Sequence, residues 1–175
     1  PNDTITAAQV TGKYDSAAAG TGKNMTVTLA TGNFTAGQNT NLANYTLPTS
    51  ISGAVGEVSR KQFSVALQGT VTKTYDGTTA AALTSSNYAV SGLIIGESVT
   101  VNQNAGSYDT ASVGSGKVVS VTLAAGNFTA GQGTSLSNYL LPTTATGSVG
   151  GINKATLTAK ADNKARTLGA ANPTF

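Results

Sequence analysis

Several groups of residues in this sequence have the chemistry to do more than fold. Tyr75-Asp76-Gly77 sets a phenol and a carboxylate beside a glycine, an arrangement that could frame a ligand or supply part of a Ca²⁺ site. The same order of groups also makes a turn, in which Gly supplies a positive φ, Asp bonds local amides and Tyr packs inward; the turn is the expectation here. Calcium needs several clustered oxygen ligands. The seven acids, Asp3, Asp15, Glu57, Asp76, Glu97, Asp109 and Asp162, are scattered, with none within three residues of another. Lys23 and Lys117 are the best amine donors for an internal Lys–Asn isopeptide bond, but that bond also needs a buried acid, and none is expected to recur beside them. Gly126 to Gly131 is glycine-rich, yet no Gly-Lys-Ser/Thr follows and no helix opens after it, so it reads as a loop with a buried Phe128 rather than a phosphate cradle. Tyr45, Tyr88 and Tyr139 could form an aromatic platform for a glycan or protein, with core burial the competing expectation. Thr-x-Thr pairs (Thr4/Thr6, Thr26/Thr28, Thr70/Thr72, Thr156/Thr158) fall on different strands and suit solvent-facing strand positions. The Asn-x-Thr sequons at Asn2, Asn24, Asn33, Asn44 and Asn127 are expected by chance in a chain this rich in both residues, with glycosylation as the functional alternative.

Composition narrows the classes further. There is no His, Cys or Trp among the 175 residues, so zinc sites, thiol nucleophiles, imidazole bases and disulfides are excluded. No acid pair, base–nucleophile pair or metal cluster is visible, and neither catalysis nor a cofactor is expected. Ten basic residues spread along the chain, against seven acids, make no basic patch, so nucleic acid is not an expected partner. Apolar runs are too short to span a bilayer as a helix. Thr, Ala, Gly, Ser and Asn make up 106 of the 175 residues, and with so much Thr and Val and so few charges the chain reads as all-β and extracellular in flavour.

An internal repeat organises the whole. Shifted by 94 residues, residues 1–58 align with 95–152 without a gap and share 30 identities in 58 positions. Gly32-Asn33-Phe34-Thr35-Ala36-Gly37-Gln38 recurs unchanged as 126–132, and Asn44 to Thr49 recurs as 138–143 with one change. Three units follow: 1–58, the rear part of one module; 59–152, a complete module; and 153–175, the start of another. The chain is therefore expected to be an excerpt from a longer tandem array, with no leader, anchor or sorting segment in it.

Substitutions between the copies expose the strands that must position these residues. Met25, Val27 and Leu29 become Val119, Val121 and Leu123, while the intervening positions change freely, as a strand with one buried face requires. Ile5 and Ala7 against Val99 and Val101 behave alike, and Phe63, Val65 and Leu67 against Leu157, Ala159 and Ala161 predict a third such strand. Turns are expected at Asp76-Gly77, Ala105-Gly106, Gly114-Ser115-Gly116 and Leu141-Pro142; Ala80 to Leu83 could make one helical turn. Six to eight short strands in a 94-residue module predict tandem immunoglobulin-like antiparallel β-sandwiches, since a β-solenoid would repeat at roughly 20–30 residues.

Lys73-Thr74-Tyr75-Asp76-Gly77-Thr78-Thr79, Gly114-Ser115-Gly116-Lys117-Val118-Val119-Ser120-Val121, and Asn138-Tyr139-Leu140-Leu141-Pro142 leading into Ala145-Thr146-Gly147-Ser148-Val149 resemble, in order, the YDG repeats of bacterial surface proteins. Residues 1–58 look like the rear part of another copy. The tail from Ala161 to Phe175 is similar to the start of an MBG-type repeat, with Leu168 where that family usually has Tyr. The resemblance implies a context: the repetitive stalk of long secreted or surface-bound bacterial proteins, including filamentous-haemagglutinin-like adhesins, serving adhesion and biofilm. It transfers no catalytic residue, only the structural motif residues Tyr75, Asp76, Gly77, Asn138, Tyr139 and Pro142. The expected function is a structural stalk segment at the bacterial surface, partnered by neighbouring repeats and by host or biofilm glycans or proteins. Two alternatives stand beside it: a self-assembling extracellular fibre joined by strand complementation between chains, and a carbohydrate- or protein-binding module.

Overall fold

Short runs in which every second side chain is apolar dictate strands with one wet face, and strands dominate the chain. The computed structural model describes residues 2–9 and 11–174. Residues 2–58 hold β1 (Ile5–Ala7), β2 (Lys13–Tyr14), β3 (Gly20–Thr28), β4 (Phe34–Ala36) and β5 (Ser50–Val58). The next stretch holds β6 (Lys61–Gln62), β7 (Ser64–Leu67), β8 (Val71–Thr74), β9 (Ala80–Ala82), β10 (Tyr88–Ser91), β11 (Val99–Val101), β12 (Ala105–Tyr108), β13 (Gly114–Thr122), β14 (Phe128–Ala130), β15 (Tyr139–Leu140) and β16 (Thr144–Asn153). Helical structure among the described residues is limited to five 3₁₀ turns of three residues each, so the protein is all-β.

Strands β1 to β5 pair only with one another, and β6 to β16 only with one another. In the second set, one sheet runs β8-β16-β13-β12-β9, and three two-stranded ladders, β7–β10, β11–β14 and β6–β15, complete the module. The expectation of antiparallel pairing holds for most of these, but β8 lies parallel to β16 (Val71 opposite Gly150) and β6 parallel to β15 (Lys61 opposite Tyr139). One continuous core draws on both sets: Val71, Ala81, Tyr108, Val119, Val121, Ala145 and Ile152 from the sheet, and Phe63, Val65, Leu67, Tyr88, Val99, Val101, Phe128 and Tyr139 from the ladders. At its centre the Phe63 ring meets Phe128 and Tyr139 edge-on, at 5.8 and 5.6 Å between centroids, the preferred geometry for aromatic quadrupoles.

Several turn and strand expectations are corrected. Ala80–Ala82 is strand β9, with Ala81 buried between exposed neighbours; three alanines are too few to nucleate a helix, and pairing with β12 satisfies the backbone instead. Ala105-Gly106 lies inside β12 rather than at a turn. Gly106 is there for close packing, because a Cβ would sit 2.7 Å from Leu83 Cδ1 and 3.0 Å from the Ser120 carbonyl oxygen. Gly114-Ser115-Gly116 opens β13 as a bulge, with the register shifting between Ser115 and Lys117 and Gly116 at φ +64°. Phe63, Val65 and Leu67 are buried as expected, but Leu157, Ala159 and Ala161 are exposed and outside any strand, because no described segment pairs with them as β10 pairs with β7.

The repeat carries its ladders with it. Ile5 faces Ala36 as Val99 faces Ala130, and the bulge between Thr21 and Lys23 in β3 repeats the one between Ser115 and Lys117. Burial does not follow, because residues 2–58 contain no equivalents of β6 to β10. Tyr14 is 40% exposed where Tyr108 is 3%, and Tyr45 is 40% where Tyr139 is 2%. The glycine pair Gly53 and Gly147 isolates the cause. A Cβ on Gly147 would sit 2.8 Å from the Leu67 carbonyl oxygen and 2.9 Å from Leu67 Cβ, whereas one on Gly53 would meet only Val55 Cγ1 at 3.7 Å. Gly147→Ala is therefore expected to destabilise the chain by about 1–3 kcal/mol through overpacking, and Gly53→Ala to change stability by no more than about 0.5 kcal/mol. Urea or thermal unfolding of the two variants checks this, and equal effects would refute it.

Candidate functional site

The chemistry-bearing residues of the strand set β6 to β16 gather at its two ends. At one end, β8 delivers Lys73 and Thr74 into the Tyr75-Asp76-Gly77 turn, and the Tyr75 N–H donates to the Asn153 carbonyl at the end of β16 (2.8 Å). Asp76 Oδ1 accepts three donors: the Thr78 N–H (2.9 Å), the Thr78 hydroxyl (2.9 Å) and Lys73 Nζ (2.8 Å). Lys73 also donates to the Thr78 carbonyl, and Gly77 takes φ +78°, a conformation costly for any residue with a Cβ. The Lys73 hydrogen bond, followed by those from Thr78, draws the Asp76 carboxyl down from 3.8 to about 2. The turn expectation is thus met for Asp76 and Gly77 but not for Tyr75, which is 46% exposed. The inward tyrosine is Tyr108, whose hydroxyl donates to the Val71 carbonyl (2.8 Å) while Lys73 Nζ stands 5.5 Å from its ring centroid, within cation–π range.

A second lysine–aspartate–threonine clamp uses the two residues that follow Tyr108 in the chain. Lys117, the one buried charged residue among those described, places Nζ 3.2 Å from Asp109 Oδ1 and donates to the Thr110 hydroxyl. Burial pushes the Asp109 carboxyl up, but Lys117 and the Thr110 and Val118 amides outweigh it and hold it below its ordinary value. This corrects the expectation that no acid recurs beside the repeated lysines: Asp15 and Asp109 occupy matching positions, eight residues before Lys23 and Lys117. The sequence carried that signal, and the strand β12–β13 pairing converts the spacing into contact.

At the opposite end, Tyr139 is buried, donating its hydroxyl to the Glu97 carboxylate and accepting from the Ile94 N–H (3.1 Å). Burial and the adjacent Glu97 push the Tyr139 phenol up. Pro142 is half-buried just ahead of β16. The ten residues of β16 separate this group from the turn at Tyr75, so the two motif halves do not meet in one site.

A pattern missed in the sequence runs through both modules. All five 3₁₀ turns end in Asn followed by an aromatic residue: Asn33-Phe34, Asn44-Tyr45, Asn87-Tyr88, Asn127-Phe128 and Asn138-Tyr139. In three of them the Asn Oδ1 accepts the backbone N–H three residues back, from Ala30, Thr84 and Ala124, so the sequon residues Asn33 and Asn127 have a structural task. The aromatic ring then enters the core wherever a core exists to receive it.

A profile of the YDG domain family matches residues 59–147, half of the chain. The chain belongs to that family. No curated protein and no solved structure matches it. In the YDG module, then, the Tyr-Asp-Gly signature is the lid of a clamp that ties β8 to β12 and β16.

The remaining candidates disperse. Tyr88 and Tyr139 are buried in the YDG core and Tyr45 lies in the preceding module, so the three form no common aromatic platform. Among the described residues no three acids converge on a point that could hold a metal ion. Gly126 to Gly131 forms a 3₁₀ turn and strand β14 with Phe128 buried, as expected. Because the Asp76 carboxyl is held below its unfolded value, the clamp contributes stability above about pH 4 that is lost as pH falls toward 2. Asp76→Asn is expected to lower the melting temperature at pH 7 and to shrink the drop between pH 7 and pH 2.5; an unchanged drop would show that the clamp contributes nothing to acid sensitivity.

Proposed function

We propose that the chain is a non-enzymatic structural segment, with immunoglobulin-like modules in series forming part of the stalk of a large bacterial surface or secreted adhesin. The observation that carries this reading is the path of the chain through the YDG module. The run from Lys61 to Thr74 enters at one end and its last part, β8, lies parallel to β16, which leaves at the other. Tension applied through the two ends therefore loads the β8–β16 hydrogen bonds in shear, all together, rather than unzipping them one at a time. The switch of that run from β10 (through β7) to β16 (through β8) supports the immunoglobulin-like reading. The two-residue connection, Ser59-Arg60, between β5 and β6 suits modules strung in line. The surroundings are those of an outward-facing spacer: polar, weakly charged and without Cys. Within this reading the tail from Ala161 onward is the start of an MBG-type module. Force spectroscopy on the whole chain held at its ends is expected to give one abrupt rupture for the YDG module, releasing about 30 nm at ~3.3–3.6 Å per residue. Smooth extension without a rupture peak would count against a tension-bearing role.

One observation favours a second reading, assembly of chains by strand complementation. Ile51 is 54% exposed and Tyr14 40% exposed on the uncovered face of β2, β3 and β5, while Leu157, 94% exposed, sits in a segment of alternating apolar residues paired with nothing. Strand β5 is also the outer strand of the β2-β3-β5 sheet, and an unpaired edge accepts an added strand. Light scattering across a concentration series distinguishes the readings: a ladder of species abolished by deleting 153–175 supports complementation, and a concentration-independent monomer excludes it.

A further inference from the structure

The joint between the two modules carries an interaction that neither module needs for its own fold. Asn138 Oδ1 accepts the backbone N–H of Ala19, 119 residues away in the other module, at 2.9 Å in a partly buried contact. Three of the other Asn–aromatic turns use the same oxygen to close their own 3₁₀ turn. In the turn at Leu136–Asn138 that oxygen is turned outward to the neighbour instead. The next two residues hold the strand that follows the connection, since Tyr139 and Leu140 pair in parallel with Lys61 and Gln62. Leu140 also closes a cleft whose other walls are Gly20, Thr21, Glu57, Val58, Ser59 and Arg60. Three consecutive residues thus reach the preceding module, the strand after the connection, and the cleft between.

We propose that Asn138 is the pin that fixes the angle between successive modules, and that the surface it engages, the backbone at Ala19 to Thr21 beside Val58, is a socket for the Asn-Tyr turn of a neighbouring module of the same kind. The repeat supports this, because both halves recur. Asn44 stands at the position of Asn138, and Val113-Gly114-Ser115 beside Ile152 stands at the position of the socket. Asn44 and Val113 are both exposed. The inference deepens the serial-module reading and rests on it for the partner, while the Asn138–Ala19 contact stands on geometry alone.

The test is the distance distribution between two spin labels in the full chain, one in each module. The protein has no Cys, so labels attach only at Thr26→Cys and Ser120→Cys, both exposed positions. A single narrow distribution is expected for otherwise unaltered chain and for Asn138→Asp, which keeps an acceptor oxygen. Asn138→Ala is expected to broaden it roughly twofold, toward the free relative motion that is usual for modules with small interfaces, while near-ultraviolet tyrosine dichroism stays native and shows that both variants fold. A broad distribution in the unaltered chain, or an unchanged narrow one in folded Asn138→Ala, would overturn the proposal. Either result leaves the rupture experiment above to judge the stalk reading separately.

Discussion

Almost everything in the YDG module depends on how closely the run from Phe63 to Thr74 lies along β16. Its first half brings Phe63, Val65 and Leu67 into the core, and the Leu67 backbone comes near enough to Gly147 that a methyl group would not fit between them. Its second half pairs with Gly150 to Asn153, gives Tyr108 an acceptor at the Val71 carbonyl, and sends Lys73 to the Asp76 turn. The first module demonstrates what this contact does by lacking it. Its strands keep their pairing and bulges, held by backbone hydrogen bonds within β1 to β5, yet its apolar residues stay largely wet. Ladder formation is local to pairs of strands; burial needs the second set of strands to arrive.

The family signature takes its meaning from that contact. Asp76 holds three donors in one turn, Gly77 permits the turn's backbone, and Lys73 carries the link onward to Tyr108. Lys117 and Asp109 form a second such pair at the end of β12. Both aspartates lie partly in water, where an ion pair by itself contributes little. Their value lies in geometry: each ties off the end of a strand that would otherwise fray. Such groups are spent on local bonds.

The two ends of the module are therefore specialised differently. The end bearing Asp76 and Asp109 is closed by ion pairs and hydroxyls. The end bearing Asn138 and Leu140 holds its neighbour through one carbonyl oxygen, and a short parallel ladder anchors the strand that follows the connection. A connection of two residues leaves little slack, so a single well-placed hydrogen bond can select one orientation from the few the connection allows.

Period-two alternation in β3, β7 and β13, the 94-residue offset and the family motifs were legible directly, because side-chain parity and turn chemistry are properties of neighbours along the chain. The buried Phe128, the turn at Asp76-Gly77 and the all-β class followed from them. Other features were decided only in three dimensions. Gly106 looked like a turn residue, since a sequence does not distinguish a glycine that bends the chain from one that makes room for a neighbouring strand. Parallel pairing of β8 with β16, 79 residues apart at Val71 and Gly150, leaves no local mark. Tyr75 and Tyr108 are equally plausible core residues in sequence, and it is the path of β12 that buries the second. Identical motifs at Asn44-Tyr45 and Asn138-Tyr139 end with one tyrosine in water and one in the core. The local sequence sets which face of a strand is apolar; whether that face is covered depends on segments far away in the chain, and only their arrival removes it from solvent.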